Sequence, residues 1–165
     1  MTHWKTYQTL LLVGEGDTEE AFLRHVKSIY APRGSGLKVT IKNAHGKGAK
    51  HVVEWTIKQL GIAQYDSVGA LLDTDTDWSD SIAKKAKSAG IRVLKSEPLF
   101  EAMMLRLLGQ SAVGDSRTLK ARFAPFVRNN ALSQSSYVDH FDRACLESGR
   151  RTEPSIDALL RCLCV

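Results

Sequence analysis

Apolar and polar positions along this chain fall into blocks whose period switches in a regular way. "YQTLLLV" at 7–13 is a short apolar run closed by glycine, the pattern of a strand buried on both faces. Directly after it Ala21, Phe22, Val26 and Ile29 recur at helical spacing, until Pro32, Gly34 and Gly36 end the helix. Asp17 is expected to cap that helix, with Glu20 three residues on completing a capping box. The alternation then repeats. "LKVTIKNA" reads as a strand before the amphipathic "AKHVVEWTIKQLG", "DSVGALLD" precedes "SDSIAKKAKSAG", and "IRVLK" precedes "EPLFEAMMLRLLG", whose proline suits a first helical turn.

Four strand–helix alternations predict an α/β fold with a mostly parallel central sheet of about four strands and helices flanking it. Right-handed crossovers would bring the carboxyl ends of the strands, and the loops after them, along one edge. The region after Gly109 is less regular. Helices are expected in "LKARFAPFVRNNALS", "YVDHFDRACLES" and "PSIDALLRCLCV", forming a helical C-terminal part (109–165) packed on a core of about 7–108. No repeat, linker or low-complexity tract divides the chain, so residues 1–165 read as one domain, a size that can bury a real core.

Composition narrows the class without fixing it. A 43% hydrophobic and 25% charged chain is ordinary for a globular protein, and no apolar run reaches bilayer length. The N-terminal apolar stretch lacks a small-residue cleavage site, so no signal peptide is expected and the cytoplasm is the default location. Cys145, Cys162 and Cys164 are an odd number without zinc-ligand spacing to histidine, and they read as free thiols in or beside a helical core.

The net charge of +5 is a mild bias toward polyanions, and its distribution says more. "KVTIKNAHGKGAKH" carries four lysines, two histidines and no acid, whereas "DTDTDWSD" holds four aspartates and no base. In an open parallel sheet, ligands bind beyond the carboxyl ends of the strands. Glu15 follows the first strand, Asp73 ends the third, Asp75 lies two residues on, and Glu97 and Glu101 follow the fourth. If the third strand continues to position 75, Asp73 and Asp75 share a face. Carboxylates gathered this way repel one another, and a hard divalent cation such as Mg²⁺ would offset them. Each acid also has a plainer explanation. Glu15 can face water, Asp17 can cap, Glu19 and Glu20 suit a helix N-terminus, Asp80 can cap the third helix, and Asp77 can be solvated. Glu101, one turn inside an apolar helix, is harder to dismiss, because an unpaired buried acid is costly. The glycines of "HGKGAKH" would let backbone amides approach a phosphate at the following helix N-terminus, with Lys47, Gly48 and Lys50 as nucleic-acid contacts; an ordinary turn with exposed lysines explains them equally well.

"LLLVGEGDTEEAFL", "GALLDTDTD" and "KSEPLFEAMML" together resemble the Toprim fold, and within it the RloB-like and OLD-type nucleases of bacterial defence systems. The matching elements are Glu15-Gly16-Asp17-Thr18-Glu19, Asp73-Thr74-Asp75 and Ser96-Glu97-Pro98-Leu99-Phe100-Glu101, in order across residues 8–108. The resemblance implies Mg²⁺- or Mn²⁺-dependent phosphodiester hydrolysis of DNA or RNA, with Glu15, Asp73 and Asp75 as metal and acid–base carboxylates. It implies Glu19 as a second-metal ligand and Glu101 as the acid of the third element. Lys95, beside that element, is a candidate phosphate contact in the catalytic set. Met103 stands where RloB-like proteins usually carry tryptophan. No P-loop occurs, so a nucleotide-driven step would need a separate ATPase as partner. The alternative is a non-catalytic nucleic-acid-binding or regulatory domain on the same scaffold.

Overall fold

The structure is a computed structural model that describes residues 7–164; residues 1–6, part of the stretch on which the leader reading rests, lie outside it. Four strands, β1 (Gln8–Gly14), β2 (Leu37–Asn43), β3 (Ser67–Asp73) and β4 (Ile91–Ser96), alternate with α1 (Asp17–Tyr30), α2 (Gly48–Leu60), α3 (Asp80–Ser88) and α4 (Phe100–Leu107). The chain continues through α5 (Ser116–Phe123), 3₁₀ turns at Ala124–Val127 and Gln134–Tyr137, α6 (Arg143–Gly149) and α7 (Pro154–Leu163). The expected α/β class, with its parallel sheet and flanking helices, is the observed one. All strand pairs are parallel, in the order β2-β1-β3-β4. No helix among the described residues is long and apolar enough to cross a membrane.

Period-two alternation sorts side chains onto the two sheet faces. Leu10 and Leu12 of β1, with Leu71 and Leu94, join Phe22, Phe100, Phe123, Tyr137 and Leu160 in a core under α1 and α4–α7. Leu11 and Val13, with Ala70, Leu72 and Ile91, meet Val52, Val53 and Ile82 of α2 and α3 on the other face. Both faces of β1 are therefore covered, which is why it reads as a continuous apolar run. The C-terminal helical part belongs to the first core, where Phe22, Phe100, Phe123, Tyr137 and Phe141 pack ring against ring.

The helix boundaries depart from expectation in ways that matter for the site. Gly16, not Asp17, is the N-cap of α1, and Glu19, not Glu20, closes it by accepting from the Gly16 amide at 3.1 Å. Ser79, not Asp80, caps α3. α4 begins only at Phe100, so Pro98 sits in the loop before it rather than in its first turn. The expected helix over 119–133 breaks at Arg128 and Asn129, both left-handed, and that over 137–148 shrinks to α6. The last helix stops at Leu163, and Val165 of the expected span lies outside the described residues.

Candidate functional site

The connection from β1 leads to β2 on one side, while β3 pairs with β1 on the other. The strand order therefore reverses between β1 and β3, and a crevice opens there beyond the strand ends. Gly14 ends β1 against the first turn of α1. A Cβ there would lie 2.9 Å from the Glu20 amide nitrogen and 3.1 Å from the Glu19 Cβ, so only glycine lets the helix start this close to the strand. That approach carries Glu15 and Glu19 to the crevice, beside Asp73 at the end of β3.

The sequence-predicted acids separate into two groups. Those with internal partners are accounted for. Asn43 at the end of β2 donates to Asp17 at 2.7 Å and to Glu20 at 3.0 Å, and Arg24 also binds Glu20. The Arg24 hydrogen bond, with help from Asn43, holds the Glu20 carboxyl below its usual range. Asp77 is exposed, as expected, and also accepts from the amides of Ala49 at 2.7 Å and Lys50 at 3.2 Å at the start of α2. Gly48, left-handed at φ +85, has no room for a Cβ beside that carboxylate. Glu97 is exposed and pairs with Lys95 at 3.3 Å.

Glu15, Glu19, Asp73 and Glu101 form the second group, with Asp75 exposed at the rim. Glu15 accepts the Asp73 amide at 2.8 Å, which fixes the end of β3 against the β1 turn. Burial raises the Glu15 carboxyl, the Asp73 amide opposes this, and the charges of Asp75 and Asp77 push it up again. Glu19 is buried, and desolvation with the nearby Glu15 and Glu101 charges raises it to about 7. Asp73 is raised to about 8, first by burial and then by Glu19, Glu15, Glu101 and Asp75. Its Oδ1 is a buried oxygen with no hydrogen-bond partner. Glu101 is raised by burial and the Asp75 charge, and lowered by Lys120.

Three expectations need correction. β3 stops at Asp73, so Asp75 is a loop residue and the shared-face argument for the pair does not hold. Lys95 alternates with Leu94 and points to the α3 side, opposite the Asp73 face; its ammonium lies 5.9 Å from the Trp78 ring centroid and pairs with Glu97. It is therefore not part of the acid cluster. The Ala49 and Lys50 amides that "HGKGAKH" offers to a phosphate are taken by Asp77, leaving the exposed Lys47 and Lys50 side chains as the free part of that segment. Sequence reasoning missed Tyr137, whose phenol is raised by burial and then by Glu19 and Glu101, and which donates to the Ala131 carbonyl at 2.8 Å. It also missed Lys120 on α5. Neither carries a local signal, because Lys120 on α5 and Tyr137 at the end of a 3₁₀ turn both lie far along the chain from the acids they act on.

The donor set suits the cation that the resemblance implies: hard carboxylate oxygens, mutual repulsion, and an Asp73 oxygen without a partner. Against a closed cage, no group of three acid, imidazole or thiol side chains among the described residues is arranged to hold a metal ion by itself. The fold and crevice thus define an α/β protein with an acidic cluster at the switch point of a parallel sheet. Comparison with protein-family models, with curated proteins and with solved structures finds no match.

Proposed function

We propose that this chain is a divalent-cation-dependent phosphodiester hydrolase acting on nucleic acid, in keeping with its resemblance to Toprim nucleases. The observation that carries the reading is the Asp73 carboxyl: at the sheet's switch point, crowded by three buried or half-buried acids, and with one buried oxygen left without a partner. A protein that only needed to fill this crevice would be more stable with an amide or an apolar side chain there. Asp73, Glu15 and Glu19 are the residues that would hold the cation, with Asp75 and Glu101 beside them. Mg²⁺ or Mn²⁺ so bound would offset the carboxylates and withdraw charge from a phosphodiester. Glu15, oriented by the Asp73 amide, could accept a proton from an attacking water, with the leaving oxygen taking its proton from solvent. By the same resemblance, a separate ATPase would be its partner.

A non-catalytic nucleic-acid-binding or regulatory domain is the second reading. It is favoured by the carboxylates already engaged by the Gly16 and Asp73 amides and by the absence, among the described residues, of a three-ligand group. Calorimetric titration of Mn²⁺ into the wild type, Asp73→Ala and Asp75→Ala, followed by cleavage assays on DNA and RNA, separates them. Saturable binding lost in Asp73→Ala, together with Mn²⁺-dependent cleavage lost in the same variant, supports the hydrolase. Nucleic-acid binding without metal binding or cleavage supports the second reading.

A further inference from the structure

Both β2 and β4 are edge strands, but only β2 is guarded in mid-strand. Within a strand, the N–H and C=O of one residue point to the same side, and successive residues alternate. The Thr74 amide donates to the Ser96 carbonyl at 3.3 Å, so Ser96, Leu94 and Arg92 turn their backbone groups toward β3. Ile91, Val93 and Lys95 therefore turn theirs outward. Ser155 at the start of α7 donates to the outward Lys95 carbonyl at 2.6 Å. No hydrogen bond among the described residues reaches the outward groups of Ile91 or Val93. On β2, by contrast, the Lys27 ammonium sits on the outward Val39 carbonyl at 3.0 Å, in the path of any added strand. An open groove of about 540 Å³ lies along the bare stretch of β4, bordered on its far side by Trp78, Ala83 and Lys87.

We infer that the outer edge of β4 accepts an added strand from a partner protein, an extended segment that carries acidic side chains. This goes beyond the hydrolase reading and does not depend on it. The open N–H and C=O groups of Ile91 and Val93 alternate at strand spacing, and an extended polypeptide backbone is the ligand that matches them. An added strand projects side chains to both faces of the sheet, and a cation stands on each. Arg92, with the parity of Leu94, lies on the α7 face, and Lys87 lies on the α3 face. Both are exposed and make no ion pair among the described residues; the side-chain partner of Arg92 is the Cys162 sulfur at 3.5 Å. The groove lining holds no acid. Acidic residues at adjacent positions of the added strand would meet one cation on each face. Pairing with β4 of a second copy would instead bring the same cations together across the axis, so like charge disfavours it.

The test is fluorescence anisotropy with a labelled peptide of about ten residues built from Glu, Thr and Val, and with the same peptide carrying Lys for Glu. The acidic peptide is expected to bind more tightly than the basic one. Two further probes carry N-methyl groups on alternate residues, one on each parity. A bound strand turns one parity toward β4 and the other to solvent, so one methylated probe loses binding and the other keeps it. Val93→Pro removes an outward N–H at an edge position, where proline is tolerated, and should weaken the acidic probe about tenfold. Lys87→Glu and Arg92→Glu should each weaken it about fivefold. Circular dichroism melting establishes that each variant is folded; if Val93→Pro is not, the methylated probes and the charge variants decide. No saturable binding of the acidic probe, equal loss with both methylated probes, or indifference to both charge variants overturns the inference. A wild-type dimer in sedimentation velocity that Val93→Pro dissolves also overturns it, because the edge then belongs to a second copy.

Discussion

Replacing Asp73 by asparagine should make the metal-free protein more stable, and the gain should depend on pH. The carboxyl lies half-buried, one oxygen has no partner, and burial with the surrounding acids raises its pKa from 3.8 to about 8. The folded state therefore keeps a proton that the unfolded chain gives up near 3.8. Stability is full below that value, falls as pH rises through the window up to about 8, and is constant beyond. Between pH ~5.5 and ~8 the loss is about 1.4 kcal/mol per pH unit, or about 3 kcal/mol from this group. Urea unfolding in EDTA at pH ~5.5 and ~8.5 reads it directly. Glu19, also raised to about 7, adds a loss of the same sign to both proteins, so the wild type should lose about 3 kcal/mol more than Asp73→Asn across that interval, and the variant should exceed it at the higher pH. Millimolar Mg²⁺ should restore the wild type and leave the variant unmoved. A wild-type stability that is flat or rises with pH in EDTA, or a variant weaker than wild type at pH ~8.5, would refute the reasoning.

Other perturbations test the supports of the site. Glu15→Ala strands the Asp73 amide that Glu15 accepts at 2.8 Å and should cost about 1–2 kcal/mol in chemical denaturation. Asp77→Ala removes the acceptor for the Ala49 and Lys50 amides and should lower stability by about 1 kcal/mol, with faster hydrogen exchange confined to the first turn of α2. Arg106→Met leaves Glu153, buried at the start of α7, without the guanidinium that binds it through two hydrogen bonds. It should cost about 2–3 kcal/mol in a urea titration, most of which adding Glu153→Leu should restore. A double variant as unstable as the single one would show that the pair does more than neutralise a buried charge.

Much of this architecture is written in local pattern. Leu10 to Val13 are apolar on both parities because both faces of β1 are covered, and Phe22 and Val26 fall on the buried stripe of α1 because only one side of that helix meets the sheet. The acids at the strand ends were equally legible: Glu15, Glu19, Asp73 and Glu101 were singled out from position in the strand–helix alternation and from resemblance, and the fold gathers them with Asp75 at the rim. What the sequence could not supply was which acid finds which partner. Asp17 and Asp77 look interchangeable with Asp73 as letters, yet Asn43 and two α2 amides satisfy them, while an oxygen of Asp73 has no partner. Those partners lie 26 to 28 residues away, at distances no local window spans. Lys95 was misplaced for a related reason: sequence puts it beside the third motif, but the period of two turns it to the opposite sheet face, over Trp78. Spacing along the chain thus determined the strands, the helices and the edge where the charges collect. Tertiary structure alone decided which charges are answered, because hydrogen bonding and desolvation depend on what arrives from elsewhere in the chain.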